Sequence, residues 1–213
     1  MILLAIDTAA NLCAASVQDA GGERGRAVLD LGKGHAEHLM GVIEAALKEA
    51  GTAYGELDAI AVSVGPGSFT GVRVGVATAR GLALALKIPA VGVTTLEAIA
   101  EERRIAGPGR PIIARIDAGR GQAYVAGFAS DGTTYLDPVA LATDEAEALI
   151  RDAGTETLVA DGKTADIRVY AGIAMRRLIR DPETPSPPPK PLYLRDADAK
   201  PQGAFALPRK DAS

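Results

Sequence analysis

Apolar and polar positions change period several times along the chain, and each change marks an element. Ile2–Ile6 is an unbroken apolar run, as a strand buried on both faces requires. Cys13–Gln18 and Ala27–Leu31 predict two more strands, separated by the turn-prone Asp19–Ala20–Gly21–Gly22. From His35 the period becomes helical. Leu39, Val42, Ile43, Ala46 and Leu47 recur on one face, and Gly51 is placed to cap the end of a helix over 35–50. Ala59–Val64 predicts a strand, 69–86 a second helix, Pro89–Val93 a strand, and a third helix begins at Thr95.

Beyond Gly107–Pro108–Gly109, which reads as a hinge, the pattern starts again. Ile112–Ile116 leading into Asp117–Ala118–Gly119 echoes Ile2–Ile6 leading into Asp7–Thr8–Ala9. Each is followed by a second strand, Cys13–Val17 or Ala123–Phe128. A helix fits 144–151, a short strand 157–159 and a last helix about 169–180. The Pro-rich stretch 181–191 excludes regular helix and central strand, and reads as a linker to the tail 192–213. The order of elements predicts an α/β protein in two related parts: a first domain over 1–106, a shortened second over 107–180, then linker and tail over 181–213.

Composition narrows the function. Apolar residues make up 47% and charged residues 23%, the balance of a globular chain and not of a disordered one. A net charge of −4 argues against a protein that grips nucleic acid unaided, although basic residues cluster near the end at Lys190, Arg195, Lys200, Arg209 and Lys210. The single Cys13 excludes a disulfide framework and reads as a small buried strand residue. The apolar start lacks a basic flank and runs straight into Asp7, so no signal peptide is read. No run reaches the ~20 apolar residues of a membrane span, and a cytoplasmic location is expected.

The segment most suggestive of chemistry is Val64–Gly75. Its glycine-rich turn opens a helix, where free N–H groups and the positive end of a dipole suit a phosphate. No Lys–Ser/Thr pair follows the glycines, so it is not a P-loop, and the plainer reading makes Ser68 the helix cap. The helix itself carries Gly71, Gly75, Ala79 and Ala83 four residues apart, a ridge almost without side chains that lets another element approach closely. Val72, Val74, Val76 and Leu82 make its other faces apolar, so both sides need cover: the sheet on one, a neighbouring helix or a partner on the other. Asp7 and Asp117 either project into one cleft and hold a metal–nucleotide complex or merely fix the turns after their strands. His35 and His38 are spaced as two ligands on one helix face. A third protein ligand is not evident, so they read as a solvated helix start.

Five stretches together resemble one family. They are ILLAIDTA, HAEHLM, SVGPGSFTGVRVGVATARGLALAL, IDAGRGQAYVAGF and PLYLRDADAKPQ, and they are similar to the TsaB family, also called YeaZ. The resemblance implies an actin-like (ribonuclease H-like) duplicated fold. It also implies a non-catalytic scaffold in the complex that attaches a threonylcarbamoyl group to adenosine 37 of tRNA. The implied partners are TsaD, as a heterodimer, and TsaE in a larger assembly. Alone the chain is expected to form a homodimer, and to meet tRNA only through the complex. No cofactor is required, though ATP or ADP binding is a candidate. The implied interface is His38, Leu39, Val42, Ala46, Gly71, Val72, Gly75, Val76, Ala79 and Ala83, on the helices 35–50 and 69–86. Candidate phosphate or nucleotide contacts are Asp7, Thr8, Gly67, Ser68 and Asp117; no catalytic residue or metal ligand is assigned. The chain departs from the family between Thr157 and Arg180, where it is compressed. The metal-binding histidine pair of TsaD relatives has no match. Two enzyme alternatives remain: an actin-like ATP-dependent phosphotransferase using Asp7 and Asp117, and a metalloprotease.

Overall fold

A computed structural model describes residues 1–107, 109–181 and 187–195. Pro108 of the expected hinge, residues 182–186 of the linker and residues 196–213, with Lys200, Arg209 and Lys210, lie outside the described residues. The first half runs β1 (Leu3–Asp7), β2 (Leu12–Asp19), β3 (Gly22–Asp30), α1 (His35–Ala50), β4 (Ala59–Ser63), α2 (Phe69–Leu86), β5 (Ala90–Val93) and α3 (Thr95–Ala106). The second runs β6 (Ile112–Gly119), β7 (Gln122–Phe128), β8 (Thr134–Ala142), α4 (Thr143–Asp152), β9 (Leu158–Asp161) and α5 (Ile167–Arg180).

The two sheets repeat one topology. The first has the order β3-β2-β1-β4-β5, with β1 antiparallel to β2 and parallel to β4. The second has the order β8-β7-β6-β9, with β6 antiparallel to β7 and parallel to β9. The echo of Asp7 in Asp117 is therefore a true structural equivalence, both lying at or near the carboxyl end of the first strand of a repeat. This is the actin-like duplicated α/β fold.

Alternation along β1 explains why its sequence is apolar without a break. Leu4 and Ile6 face α1 and α2, joining Leu39, Ile43, Val62 and Val76. Leu3 and Ala5 face the other way, into a core built with Leu96 of α3, Tyr170 of α5 and Ile112 and Ile116 of β6. Both faces of the strand are covered, so polar alternation is absent. The helices α3 and α5 form the middle layer between the sheets, and α4 covers the far face of the second sheet through Ala146 against Ile113 and Val125. The middle layer is crossed: α5 packs chiefly on the first sheet and α3 on the second. One core therefore spans both sheets. Charged residues staple this layer. Arg177 bonds both carboxylate oxygens of Glu97 at 2.6 Å and the Gly92 carbonyl at 2.7 Å. Buried Glu101 is held between Arg104 at 2.5 Å and Arg176 at 2.6 Å.

Two strands differ from the sequence-based expectation. β8 had no predicted counterpart; it carries Pro138 and forms an edge of its sheet, where a missing N–H is tolerated. β3 begins at Gly22 and not Ala27, because its first half reads Gly–Glu–Arg–Gly–Arg, with no apolar alternation to reveal it. Gly25 is needed there: a Cβ would overlap the backbone of Ala46 and Ala50 where α1 crosses the strand. Residues 187–195, the end of the linker and the start of the tail, have no helix or strand, yet they are docked. Leu192 N–H donates to the Val64 carbonyl at 2.8 Å, Pro189 lies beside Gly92, and Arg195 Nη1 donates to the Ala118 carbonyl at 3.0 Å. They form a strap from the first sheet to the β6–β7 turn of the second half.

Candidate partner surface and interdomain cleft

The helix α2 starts where Ser68 Oγ accepts the Gly71 N–H at 3.2 Å, the cap anticipated from the sequence. Its small ridge points inward. A Cβ on Gly71 would overlap the Thr8 carbonyl oxygen, and one on Gly75 would lie 2.5 Å from Thr8 Oγ1. Thr8 Oγ1 in turn donates to the Gly71 carbonyl at 2.7 Å, in a buried setting. The ridge thus lets α2 close onto the end of β1 within one chain. This corrects the interface expectation for Gly71, Val72, Gly75, Val76, Ala79 and Ala83, all buried against the chain's own sheet. Leu39, Val42 and Ala46 of α1 are likewise buried. The sheet covers the row Gly71, Gly75, Ala79 and Ala83, and a different row of α2 faces out. Of the ten interface residues named from the sequence, only His38 is exposed.

The outward row of α2 is Phe69, Arg73, Ala77, Gly81 and Ala85, again spaced by four and all exposed. Leu84 beside it is 81% exposed, and on α1 Met40 (43% exposed), Gly41 and Ala45 also face out. No atom lies within 4 Å of a Cβ built on Gly81 or Gly41, so these small residues leave open space and no internal contact. α2 has mean hydropathy 1.2 over 18 residues and only 28% of it is buried, enough by length and composition to cross a membrane. Its close seating on β1 and β4 and the arginines Arg73 and Arg80 describe instead a sheet-covering helix whose outer apolar face lacks a cover. The available signal was that α2 carries two small rows; telling inner from outer needed the sheet.

At the amino end of α2 the outer face is more structured. The guanidinium carbon of Arg73 stands 3.7 Å from the Phe69 ring centroid and 5.4 Å from that of Tyr193, which the strap brings there. Arg73 Nε donates to the Tyr193 hydroxyl at 2.7 Å, and the two rings lie 5.5 Å apart.

A cleft of about 360 Å³ opens between the halves, lined by Asn11, Gly67, Ser68, Asp117, Tyr124 and Lys163 among others. It gathers three of the candidate nucleotide contacts, Gly67, Ser68 and Asp117. Asp7 and Thr8 are not among its lining residues: Asp7 is 1% exposed, its Oδ1 accepting the Ala9 N–H at 2.9 Å and its Oδ2 the Thr164 hydroxyl at 2.5 Å. Thr164 is linked on to Tyr170 at 2.8 Å, so the second half closes over this carboxyl group. Burial raises the Asp7 pKa against the pull of Thr164, Ala9, Ser63 and His35. Asp117 is exposed and accepts the Gly119 N–H at 2.7 Å, fixing its turn as Asp7 fixes the first. The two aspartates therefore hold equivalent turns and do not meet in one site. Ser68 N–H is also committed, to the Ala9 carbonyl at 2.6 Å. Of the five residues nominated for a nucleotide, Gly67, Ser68 and Asp117 line this cleft, and Asp7 and Thr8 are buried behind it. The histidines part as well, since His35 is buried and His38 faces solvent. Among the described residues no group of three His, Cys, Asp or Glu is arranged to hold a metal ion.

Comparison with known proteins agrees with this description. The family model for TsaD, tRNA N6-adenosine threonylcarbamoyltransferase, matches residues 30–176. The chain is 34% identical over 131 residues to the Escherichia coli tRNA threonylcarbamoyladenosine biosynthesis protein TsaB. That match covers 62% of this chain and 56% of the relative, and a Haemophilus influenzae TsaB is 32% identical over 58% of this chain and 52% of its own length. The chain thus spans about half the length of these curated relatives. An uncharacterised Mycobacterium bovis protein is 33% identical over 79% of both chains. A Pseudomonas aeruginosa crystal structure described as similar to peptidase YEAZ superposes with a TM-score of 0.74 at 25% identity, covering 91% of this chain and 99% of the other. With the TsaD model matching more than half of its residues and the YeaZ fold nearly all of them, the chain belongs to the TsaB (YeaZ) family, a relative of TsaD.

Proposed function

We propose that the chain is a non-catalytic subunit of the complex that attaches a threonylcarbamoyl group to adenosine 37 of tRNA, acting in the cytoplasm by binding TsaD. The observation that carries this reading is the uncovered apolar face of α1 and α2, with Leu84 81% exposed beside the small row Ala77, Gly81 and Ala85. A surface of that kind marks a protein interface, since an isolated soluble chain gains nothing by leaving it wet. Small residues let a facing helix approach closely and bury area without long side chains to order. The relatives named for tRNA threonylcarbamoyladenosine biosynthesis supply the pathway. The match of residues 30–176 to the TsaD family model supports TsaD as the partner, because related folds present similar helix pairs to one another. The same face serves a homodimer when the chain is alone, and TsaE joins the larger assembly. The chain needs no cofactor of its own and meets tRNA through the complex, in keeping with its net charge of −4.

The test is tRNA threonylcarbamoylation by purified TsaD and TsaE with the adenylate-forming enzyme. The reading expects product only when the chain is added and none from the chain alone. Equal product without the chain would refute it.

A further inference from the structure

The strap 187–195 ends its path over α2 in an arrangement that packing within the chain does not require. Arg73 lies over the Phe69 ring, and its Nε is spent on the hydroxyl of Tyr193, whose ring is tilted against Phe69. Among the described residues it has no carboxylate partner. Phe69 is 43% and Tyr193 49% exposed, so the stack stands at the surface, at the head of the uncovered row Ala77–Gly81–Ala85. A guanidinium carries five donors in a rigid fork; here its Nε is used by the Tyr193 hydroxyl and its plane is held by the Phe69 ring. Its side-chain freedom is already lost before anything binds, so a partner meets a preset cation. Aromatic residues with arginine are the composition of interface hot spots, and this chain has only 3 Phe, 5 Tyr and no Trp from which to build one.

We propose that Phe69, Arg73 and Tyr193 form a hot spot at which a protein partner docked on the α1–α2 face places a carboxylate on Arg73, with the C-terminal strap as part of the binding surface. This rests on the assignment of that face to a partner and adds what the partner must bring: an acidic side chain at the edge of an apolar helix surface. A protein carboxylate is favoured over a nucleic-acid phosphate because the stack continues into the apolar row with Leu84, which a phosphate backbone does not use. The remaining donors of Arg73 suit a bidentate contact of the kind that fixes register as well as adding affinity.

The experiment measures affinity for TsaD from the same organism, by calorimetry at two salt concentrations, for the full chain and four variants. Circular dichroism melts confirm that each is folded. Arg73→Ala should raise Kd about 30-fold or more, the scale of a hot-spot truncation, and flatten the salt dependence. Arg73→Lys should lose nearly as much, because an ammonium keeps the charge but neither the stack nor the fork. Tyr193→Ala should weaken binding several-fold through the same residue. Gly81→Trp tests the face itself and should abolish binding. If Gly81→Trp binds like wild type, the face assignment fails. If Gly81→Trp abolishes binding while Arg73→Ala and Tyr193→Ala do not weaken it, the face stands and the hot spot is refuted. Full affinity in Arg73→Lys would refute the role of the stack. Loss of tRNA binding in Arg73→Ala with unchanged TsaD affinity would assign the cation to phosphate and overturn the proposal.

Discussion

Two glycines of α2 should respond in opposite directions to the same added methyl group. At Gly71 a Cβ overlaps the carbonyl oxygen of Thr8, a backbone atom of β1 that cannot swing aside. Accommodating it means lifting the helix from the sheet and stretching the Thr8–Gly71 hydrogen bond, now 2.7 Å. Overpacking of this sort costs ~1–3 kcal/mol, and the hydrogen bond adds about 0.5–1.5 kcal/mol. Against these stands the ~1 kcal/mol that alanine gains over glycine inside a helix. Gly71→Ala should therefore destabilise by about 0.5–3.5 kcal/mol net. At Gly81 a Cβ meets no atom within 4 Å, so only the helix term acts and Gly81→Ala should stabilise by ~1 kcal/mol. In a chain of this size each kcal/mol moves Tm by roughly 2–4 °C. Melts followed by circular dichroism, with urea titrations as a check, should show Gly81→Ala above wild type and Gly71→Ala below it. Shifts of the same sign would refute the assignment of one row to the sheet and the other to solvent. The same geometry explains why Gly75→Leu cannot probe a partner: it strikes Thr8 first.

Other consequences concern charge. Burial holds the Asp7 pKa above its usual value, so its charged form opposes folding: its contribution is most favourable at low pH and is lost as pH rises through the raised pKa. Asp7→Asn should gain on wild type as pH increases, by thermal melts across pH 4–8 (a range of roughly the usual working conditions); a constant gap would contradict the buried carboxyl. Asp166 caps α5 through the Arg168 N–H at 2.9 Å; burial works against its charge, but Arg168 and Arg26 outweigh it and lower its pKa. Asp166→Ala should cost ~1 kcal/mol at neutral pH. That cost should shrink on acidification, because stability from a lowered carboxyl is lost as pH falls through its folded pKa. A cost unchanged by acid would rule out the ion pairs.

Most of the architecture was legible because both faces of β1 and β4 are covered, which writes apolar runs into the sequence; β6 keeps the same character apart from Arg115. The helices announced themselves through period and caps, α2 from Ser68 and α1 to Gly51. What stayed hidden was whatever depends on the second partner in a contact. The edge strand β8, which carries Pro138, was not predicted, and the polar first half of β3 gave no alternation. The small residues of α2 announced close approach but not its direction, since Gly75 and Gly81 are the same letter on opposite sides. The burial of Asp7 was hidden for a similar reason. Nothing near Asp7 in sequence tells that Thr164, 157 residues away, closes over it. The stack of Arg73 joins residues 120 apart and had no local signal.

The most direct test of the central claim is an add-back measurement. TsaD, TsaE and the adenylate-forming enzyme are incubated with tRNA, and threonylcarbamoyladenosine is quantified with no addition, with the wild-type chain and with folded Gly81→Trp. Product with wild type only would establish a subunit that works through the outer face of α1 and α2. Equal product in all three, or full activity with Gly81→Trp, would contradict it.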